Sequence, residues 1–261
     1  MAKQVKLAGN DTLIGIDGQW NYLYGDATSL SGHAVGGNDT LTGGAGGDGV
    51  AFTYNELFGD AYQLYSSARG GNDLLTGGAD AENHLYGDAG GMYDSTRGGA
   101  DTLIGGTGAA AINILRGDAQ HMFGNAVGGN DTLIGGAGAT NTLYGDAYDM
   151  YDSAVCGNDV LISGTGTDHM WGDAVVFIGG SVTTGADTFV FKPASGNDFI
   201  YDFQSDHDKI DVSAYGFANI GAMTITDLGN DTKMDFDSGN SVILVGFSDP
   251  SLLTGADFKF A

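Results

Sequence analysis

The chain has 261 residues, with 33 acidic against 9 basic side chains, a formal net charge of −24, 47 glycines and one cysteine. Nine scattered cations cannot build a phosphate-binding face, so nucleic acid is excluded as a partner, and a single cysteine excludes a disulfide framework within the chain. No run approaches the roughly 18 apolar residues of a transmembrane span, and residues 1–9 hold no apolar signal core.

Residues 1–8 are an N-terminal edge, with Lys3 and Lys6 placed to guard an open strand against pairing with another chain. From there an aspartate returns in Gly-Asn-Asp corners at Asp11, Asp39, Asp73, Asp131 and Asp159, with Gly-Ala-Asp variants at Asp101 and Asp187. A second aspartate keeps step in Gly-Asp-Ala, at Asp26, Asp60, Asp88, Asp118, Asp146 and Asp173. From each of these to the next corner is 13 residues, or 14 for the last pair; in the other direction the spacing wanders through 15, 21, 15, 17, 15 and 14. One arm of the repeat is fixed and the other tolerates insertions. A period of roughly 28 residues predicts a stacked solenoid over residues 9–184, each unit burying its apolar face only against its neighbours.

Three apolar columns run through the repeats: Leu13, Leu41, Leu75, Leu103, Leu133, Leu161 and Phe189; then Leu23, Leu57, Leu85, Leu115, Leu143 and Met170; then Leu30, Leu64, Met92, Met122, Met150 and Phe177. Their close spacing and the glycines between them rule out helices and leave short strands joined by tight turns. Side chains alternate along a strand, so these columns read as inward ladders and the residue after each as outward. The expected fold is all-β, a right-handed parallel β-solenoid (β-roll or β-helix) with a C-terminal β cap. A three-sided coil with one repeat per turn and a flattened two-sided roll of about 18 residues per turn both fit the spacing.

Self-repulsion at −24 strains a compact fold, and about 12 divalent ions would cancel the whole formal charge. Taken singly, each aspartate is as readily a turn residue capping local backbone. Two phased columns with so few cations to pair them shift the reading to metal. At Gly128-Gly129-Asn130-Asp131-Thr132-Leu133-Ile134-Gly135-Gly136 the chain resembles the RTX family of calcium-binding secreted proteins, whose nonapeptide is G-G-x-G-x-D-x-U-x. The resemblance covers about residues 9–191. It implies Ca²⁺ as the cofactor, held by corner aspartates and glycine-loop carbonyls, because calcium takes 6 to 8 hard oxygens in flexible geometry. The corner aspartates are the first candidates and the Gly-Asp-Ala aspartates the second. The chain departs from the family pattern by its Gly-Asp-Ala arm and by residues such as Asn141 in place of a second aspartate, which implies fewer sites per turn.

Residues 185–261 thin out in glycine, and Gly196-Asn197-Asp198-Phe199-Ile200-Tyr201-Asp202-Phe203 leads to Asp208-Lys209-Ile210-Asp211; Asp198 joins the candidate ligands. This segment resembles the serralysin-like cap and secretion region of type I secreted RTX proteins. That resemblance implies export by a type I secretion apparatus without an N-terminal signal peptide, and an extracellular location. The five dispersed histidines form no H-E-x-x-H pair and no G-x-S-x-G elbow occurs, so no enzyme is expected. Cys156 stands where Gly36, Gly70, Gly98 and Gly128 stand in other repeats and reads as a tolerated substitution. Outward aromatic columns (Tyr24, Phe58, Tyr86, Tyr144, Trp171; and Tyr65, Tyr93, Phe123, Tyr151) are more often cross-strand stacks than a grip for an extracellular polysaccharide. The short N-terminal edge leaves head-to-tail self-association, in a filament, surface layer or adhesin, as the alternative role.

Overall fold

A computed structural model describes residues 1–6, 9–47 and 52–261; Leu7 and Ala8 of the N-terminal edge lie outside the described residues. Each coil lays one short strand on each of three sheets, as in Thr12–Ile14, Trp20–Tyr24 and Ala27–Leu30. The strands stack in parallel with like on like. Leu13 pairs with Leu41, Leu41 with Leu75 and so on to Phe189 and Ile210 on one sheet, and Leu23 with Leu57 through to Met170 and Ile200 on the second. The third sheet runs from Leu30 through Leu64, Met92, Met122 and Met150 to Phe177. Leu143 and Leu161, 18 residues apart, lie on different sheets. The solenoid is therefore three-sided with one coil per repeat, and the two-sided roll is excluded.

Two apolar lobes fill it. The larger joins the Leu13 and Leu23 ladders and continues without a break into Phe236, Leu253 and Phe258 of the cap. The smaller lies beneath the Leu30 ladder, packed by the alanines Ala61, Ala68, Ala89, Ala119, Ala126 and Ala154. It is narrow because residues 27–39 and their counterparts double back tightly. The tip of that arm is left-handed in every coil, at Gly32, Ser66, Asp94, Gly124, Asp152 and Gly180, a conformation that glycine, aspartate and asparagine tolerate best.

The Leu30 sheet ends at Ala174–Ile178, while the other two continue into the cap, the Leu13 sheet as far as Phe258–Lys259 and the Leu23 sheet as far as Ser241–Leu244. Phe177 is a correction to the inward ladder. It pairs in register with Met150 but is 43% exposed, since no further coil is laid over it. Beyond Asn197–Ile200 the Leu23 sheet takes one more parallel strand, Ser241–Leu244, and then an antiparallel meander through Thr232–Asp235 and Thr224–Asp227.

The first aromatic column also differs from the expectation. Phe58, Tyr86, Tyr24 and Tyr144 point away from the core yet are buried. Their rings stack on one another at 5.0 Å (Tyr24–Phe58) and 4.7 Å (Phe58–Tyr86), and the chain turned by Gly-Asp-Ala lays Tyr62 and Tyr148 edge-on across Phe58 and Tyr144. Arg116 takes the aromatic's place in one coil, its guanidinium sandwiched between Tyr86 and Tyr144 at 5.0 and 5.4 Å. The second column, Tyr65, Tyr93, Phe123 and Tyr151, stacks face to face at 4.4 to 5.1 Å. Ring faces in both columns are thus spent on neighbouring rings. No helix among the described residues is long and apolar enough to cross a membrane.

Candidate metal centre

The repeat aspartates do not line the outer edges of the rod. They lie inside it, in two facing columns between the large lobe and the small one, and from Asp39 to Asp187 every one is almost fully buried. Alternation explains the corner column: Asp39 stands two residues before Leu41 and Asp131 two before Leu133, so each shares the inward face of its strand. One oxygen of each corner aspartate ties consecutive coils together. The amide of Asp39 donates to Oδ1 of Asp73 (2.6 Å), Asp73 to Asp101 (2.7 Å), Asp101 to Asp131 (2.8 Å), Asp131 to Asp159 (2.7 Å) and Asp159 to Asp187 (2.8 Å).

The Gly-Asp-Ala aspartates close the narrow arm within their own coil. Asp60, Asp88, Asp118 and Asp146 each accept from a glycine amide eleven residues on, at Gly71, Gly99, Gly129 and Gly157. Asp26 accepts from Gly37 in the same way at 2.7 Å, and Asp173 from Gly185 at 2.6 Å. That closure is why the 13-residue arm is constant. The spacing that wanders belongs to the turn between the Leu13 and Leu23 sheets, where an asparagine catches a glycine amide across a separation that itself varies, 11 residues from Gly44 to Asn55, 5 from Gly78 to Asn83 and 7 from Gly106 to Asn113.

The second oxygens have no such partner. Oδ2 of Asp39, Asp73, Asp88, Asp101, Asp118, Asp131, Asp146 and Asp159 is buried without a hydrogen bond. The glycine of each Gly-Asp-Ala holds the space in front of them open: a Cβ at Gly59 would strike Oδ2 of Asp73 and the Gly87 carbonyl, and one at Gly117 would strike Oδ2 of Asp131 and the Gly145 carbonyl. The result is a run of cradles lined by carboxylate and carbonyl oxygens, the donor set that a hard divalent cation takes. Without a cation, these carboxyls resist ionising. Burial first, and neighbouring carboxylates second, push Asp187 up to about 9, and burial pushes Asp73 up to about 8 and Asp39 and Asp118 up to about 6. Asp60, Asp88, Asp101, Asp131, Asp146 and Asp159 are raised well above the carboxylate range for the same reasons, and burial raises Asp173.

Two candidates stand apart. Asp11, at the open first coil, is partly exposed and faces Lys6 Nζ at 3.2 Å. Asp198 is in neither column. It ends a third polar ladder, Asn21, Asn55, Asn83, Asn113, Asn141, Asp168 and Asp198, which the sequence reading did not find. Each asparagine there is satisfied: Asn113 Nδ2 donates to Asn141 Oδ1 (2.7 Å) and to the Gly106 carbonyl (2.8 Å), and its Oδ1 accepts from the Gly106 amide (2.8 Å) and from Asn83 Nδ2 (2.8 Å). Asp168 and Asp198 share the Ser163 hydroxyl, and burial followed by the Asp168 charge pushes Asp198 up to about 8. Parity was the available signal, since each ladder residue stands two before an inward Leu, Met or Ile. Conversely, the aspartate columns extend into the cap through two residues outside the motifs: Asp202 accepts from the amides of Gly172 and Asp173, and Asp208 from that of Asp187.

The amide ladder needs no ion, which makes it an internal control. Asn113→Ala removes both donors and acceptors around Gly106 and should lower unfolding stability by about 3 kcal/mol. Urea unfolding at several calcium concentrations should show the same loss at each. A loss that scales with calcium would move the ion to this ladder.

Coils with Gly-Asn-Asp corners, inward leucines and oxygen-lined cradles define an RTX-type repeat β-solenoid. Residues 101–244, more than half of the chain, match the family described as Peptidase M10 serralysin C terminal. The chain belongs to that family. Among solved structures it is similar to the AlgE6R2 subunit of the mannuronan C5-epimerase of Azotobacter vinelandii, known from a solution structure, with 24% identity over 57% of this chain and 87% of that one and a TM-score of 0.32. No curated protein matches it.

Proposed function

We propose that this chain is a calcium-binding, non-catalytic module, exported by a type I secretion apparatus and folded outside the cell when Ca²⁺ enters the aspartate columns. The observation that carries this reading is the contrast between the two kinds of ladder. Where the fold needs only a polar spine it uses asparagine, with every amide partnered. In the columns it uses aspartate and leaves eight carboxylate oxygens orphaned, at a cost that protonation relieves at low pH and a cation relieves in the ionised form. Asp39, Asp73, Asp101, Asp131, Asp159 and Asp187, facing Asp26, Asp60, Asp88, Asp118, Asp146 and Asp173, would hold the ions together with glycine carbonyls. Bound calcium would supply positive charge between coils, so that ion binding and folding are one free energy. Family membership and the net charge of −24 support the secreted setting, where calcium is plentiful.

Sedimentation velocity in chelator, in millimolar calcium and in millimolar magnesium tests this. A slow, extended species that becomes a compact monomer only in calcium is expected; a compact species already present in chelator at neutral pH, unchanged by calcium, would end the reading.

A second reading, calcium-dependent head-to-tail assembly, is favoured by one feature. Among the described residues the Leu30 sheet is unpaired at both ends, at Ala27–Leu30 and at Ala174–Ile178, and Phe177 and Ile178 are 43% and 45% exposed there. An open strand at each end of one sheet is a heterologous, non-closing contact. In the same experiment it would appear as large species formed only in calcium.

A further inference from the structure

The position of Cys156 is glycine in the four preceding coils, and the structure shows what that glycine avoids. A Cβ at Gly36, Gly70, Gly98 or Gly128 would meet two Gly-Asp-Ala carboxylates, Oδ2 of its own coil's aspartate and Oδ1 of the next coil's: Asp26 with Asp60, Asp60 with Asp88, Asp88 with Asp118, and Asp118 with Asp146. The succession sets Cys156 between Asp146 and Asp173. Its Sγ and one carboxylate oxygen of each lie within 4.8 Å of one another, and all three residues are buried. One further observation points to a ligand: Asp146 is fully buried and its Oδ2 has no hydrogen-bond partner. The Cys156 thiol is also within hydrogen-bond distance of the Met150 sulfur, at 3.3 Å. The Gly157 amide donates to Oδ1 of Asp146 and the Gly185 amide to Oδ1 of Asp173, both at 2.6 Å, so both carboxylates are fixed in place.

We propose that Asp146, Cys156 and Asp173 form a site for one soft divalent cation of the zinc and cadmium kind, built by a thiol placed in an otherwise all-oxygen column. Calcium prefers hard oxygens, whereas zinc and cadmium gain most from a thiolate, and the Met150 thioether adds a second soft neighbour. On binding, the S–H bond gives its proton to solvent as the sulfur–metal bond forms, and no electron changes hands. The four preceding coils, with glycine here, and the following one, with Thr184, offer no thiol and stay selective for hard ions.

The test is a titration of the intact chain with cadmium alone, followed by the ultraviolet thiolate-to-cadmium charge-transfer absorption. One equivalent should develop the band to saturation, and zinc should abolish it by displacement. Cys156→Gly, which restores the residue of the four preceding coils, should show no band while its response to calcium is unchanged. Asp146→Asn should weaken cadmium binding at least tenfold with the thiol still present. Absence of the band in the parent chain would overturn the inference and leave the calcium reading standing, as would equal affinity in Asp146→Asn, which marks binding by the thiol alone. A cadmium band together with no calcium response would keep this site and remove that reading instead.

Discussion

In chelator, this protein should become less stable as pH rises from about 4 to about 9, and calcium should reverse that slope. The sign follows from the columns. A carboxyl whose folded pKa is raised above its unfolded value binds its proton more tightly in the folded state. Its contribution is fully present below the unfolded pKa of about 3.9 and is lost as pH climbs through the folded value. Burial sets that value at about 6 for Asp39 and Asp118, and burial together with neighbouring carboxylates sets it at about 8 for Asp73 and about 9 for Asp187. At about pH 5 the columns are largely protonated and the ion-free coils can close; at about pH 8 they must charge inside the rod or open. Calcium requires the ionised form, so its binding releases protons and strengthens with pH. Each site filled a hundredfold above its Kd adds about 2.7 kcal/mol, or roughly 5 to 10 °C in Tm for a chain of this size, so several sites together amount to tens of degrees. Calorimetric scans across pH with and without calcium check this. A calcium shift of equal size at about pH 5 and about pH 8 would remove the buried carboxylates from the account.

The three ladders were legible because a parallel solenoid repeats one environment at one spacing, and identical side chains fall on identical sites. Spacing alone left the number of sides open, since Leu143 and Leu161 are 18 residues apart whether a coil has two walls or three. What decides it is where the chain turns, and that depends on Asp26-type carboxylates catching glycine amides across the narrow arm, a contact whose fixed 11-residue spacing does not itself say that the two residues touch. The inward placement of the corner aspartates was available from parity with Leu41 or Leu133, but a charged residue beside a glycine reads first as an exposed turn. Asp202 and Asp208 escaped notice for a different reason. In the last coil the Leu30 arm is gone, so the two columns are joined by a short loop with neither the glycine nor the alanine that marks them elsewhere. The first aromatic column is buried for a reason one strand cannot reveal, since Tyr62 and Tyr148 arrive from the next side of the coil.

Asp131→Asn should act in opposite directions with and without calcium. In the ion-free protein Asp131 Oδ1 accepts the Asp101 amide at 2.8 Å, and an asparagine keeps that bond. Its other oxygen is buried, unpartnered and set against the Asp118 carboxylate. Replacing that oxygen by an amide removes the like charge and puts a donor toward Asp118, the arrangement that Asn113 and Asn141 already use one wall away. In chelator at about neutral pH the variant should therefore be more stable than the parent, by about 1 to 3 kcal/mol for one buried acceptor newly satisfied. In saturating calcium the same change withdraws a hard, charged ligand and leaves an NH₂ group where an ion would sit. It should then be less stable by at least the roughly 2.7 kcal/mol of one filled site, with a lower calcium stoichiometry by calorimetric titration. If Asp131 serves only the turn, both conditions must move together, because the turn's hydrogen bond survives in both. Paired urea midpoints separate the cases: two shifts of one sign assign the columns to turn chemistry, and a change of sign between chelator and calcium assigns them to the ion.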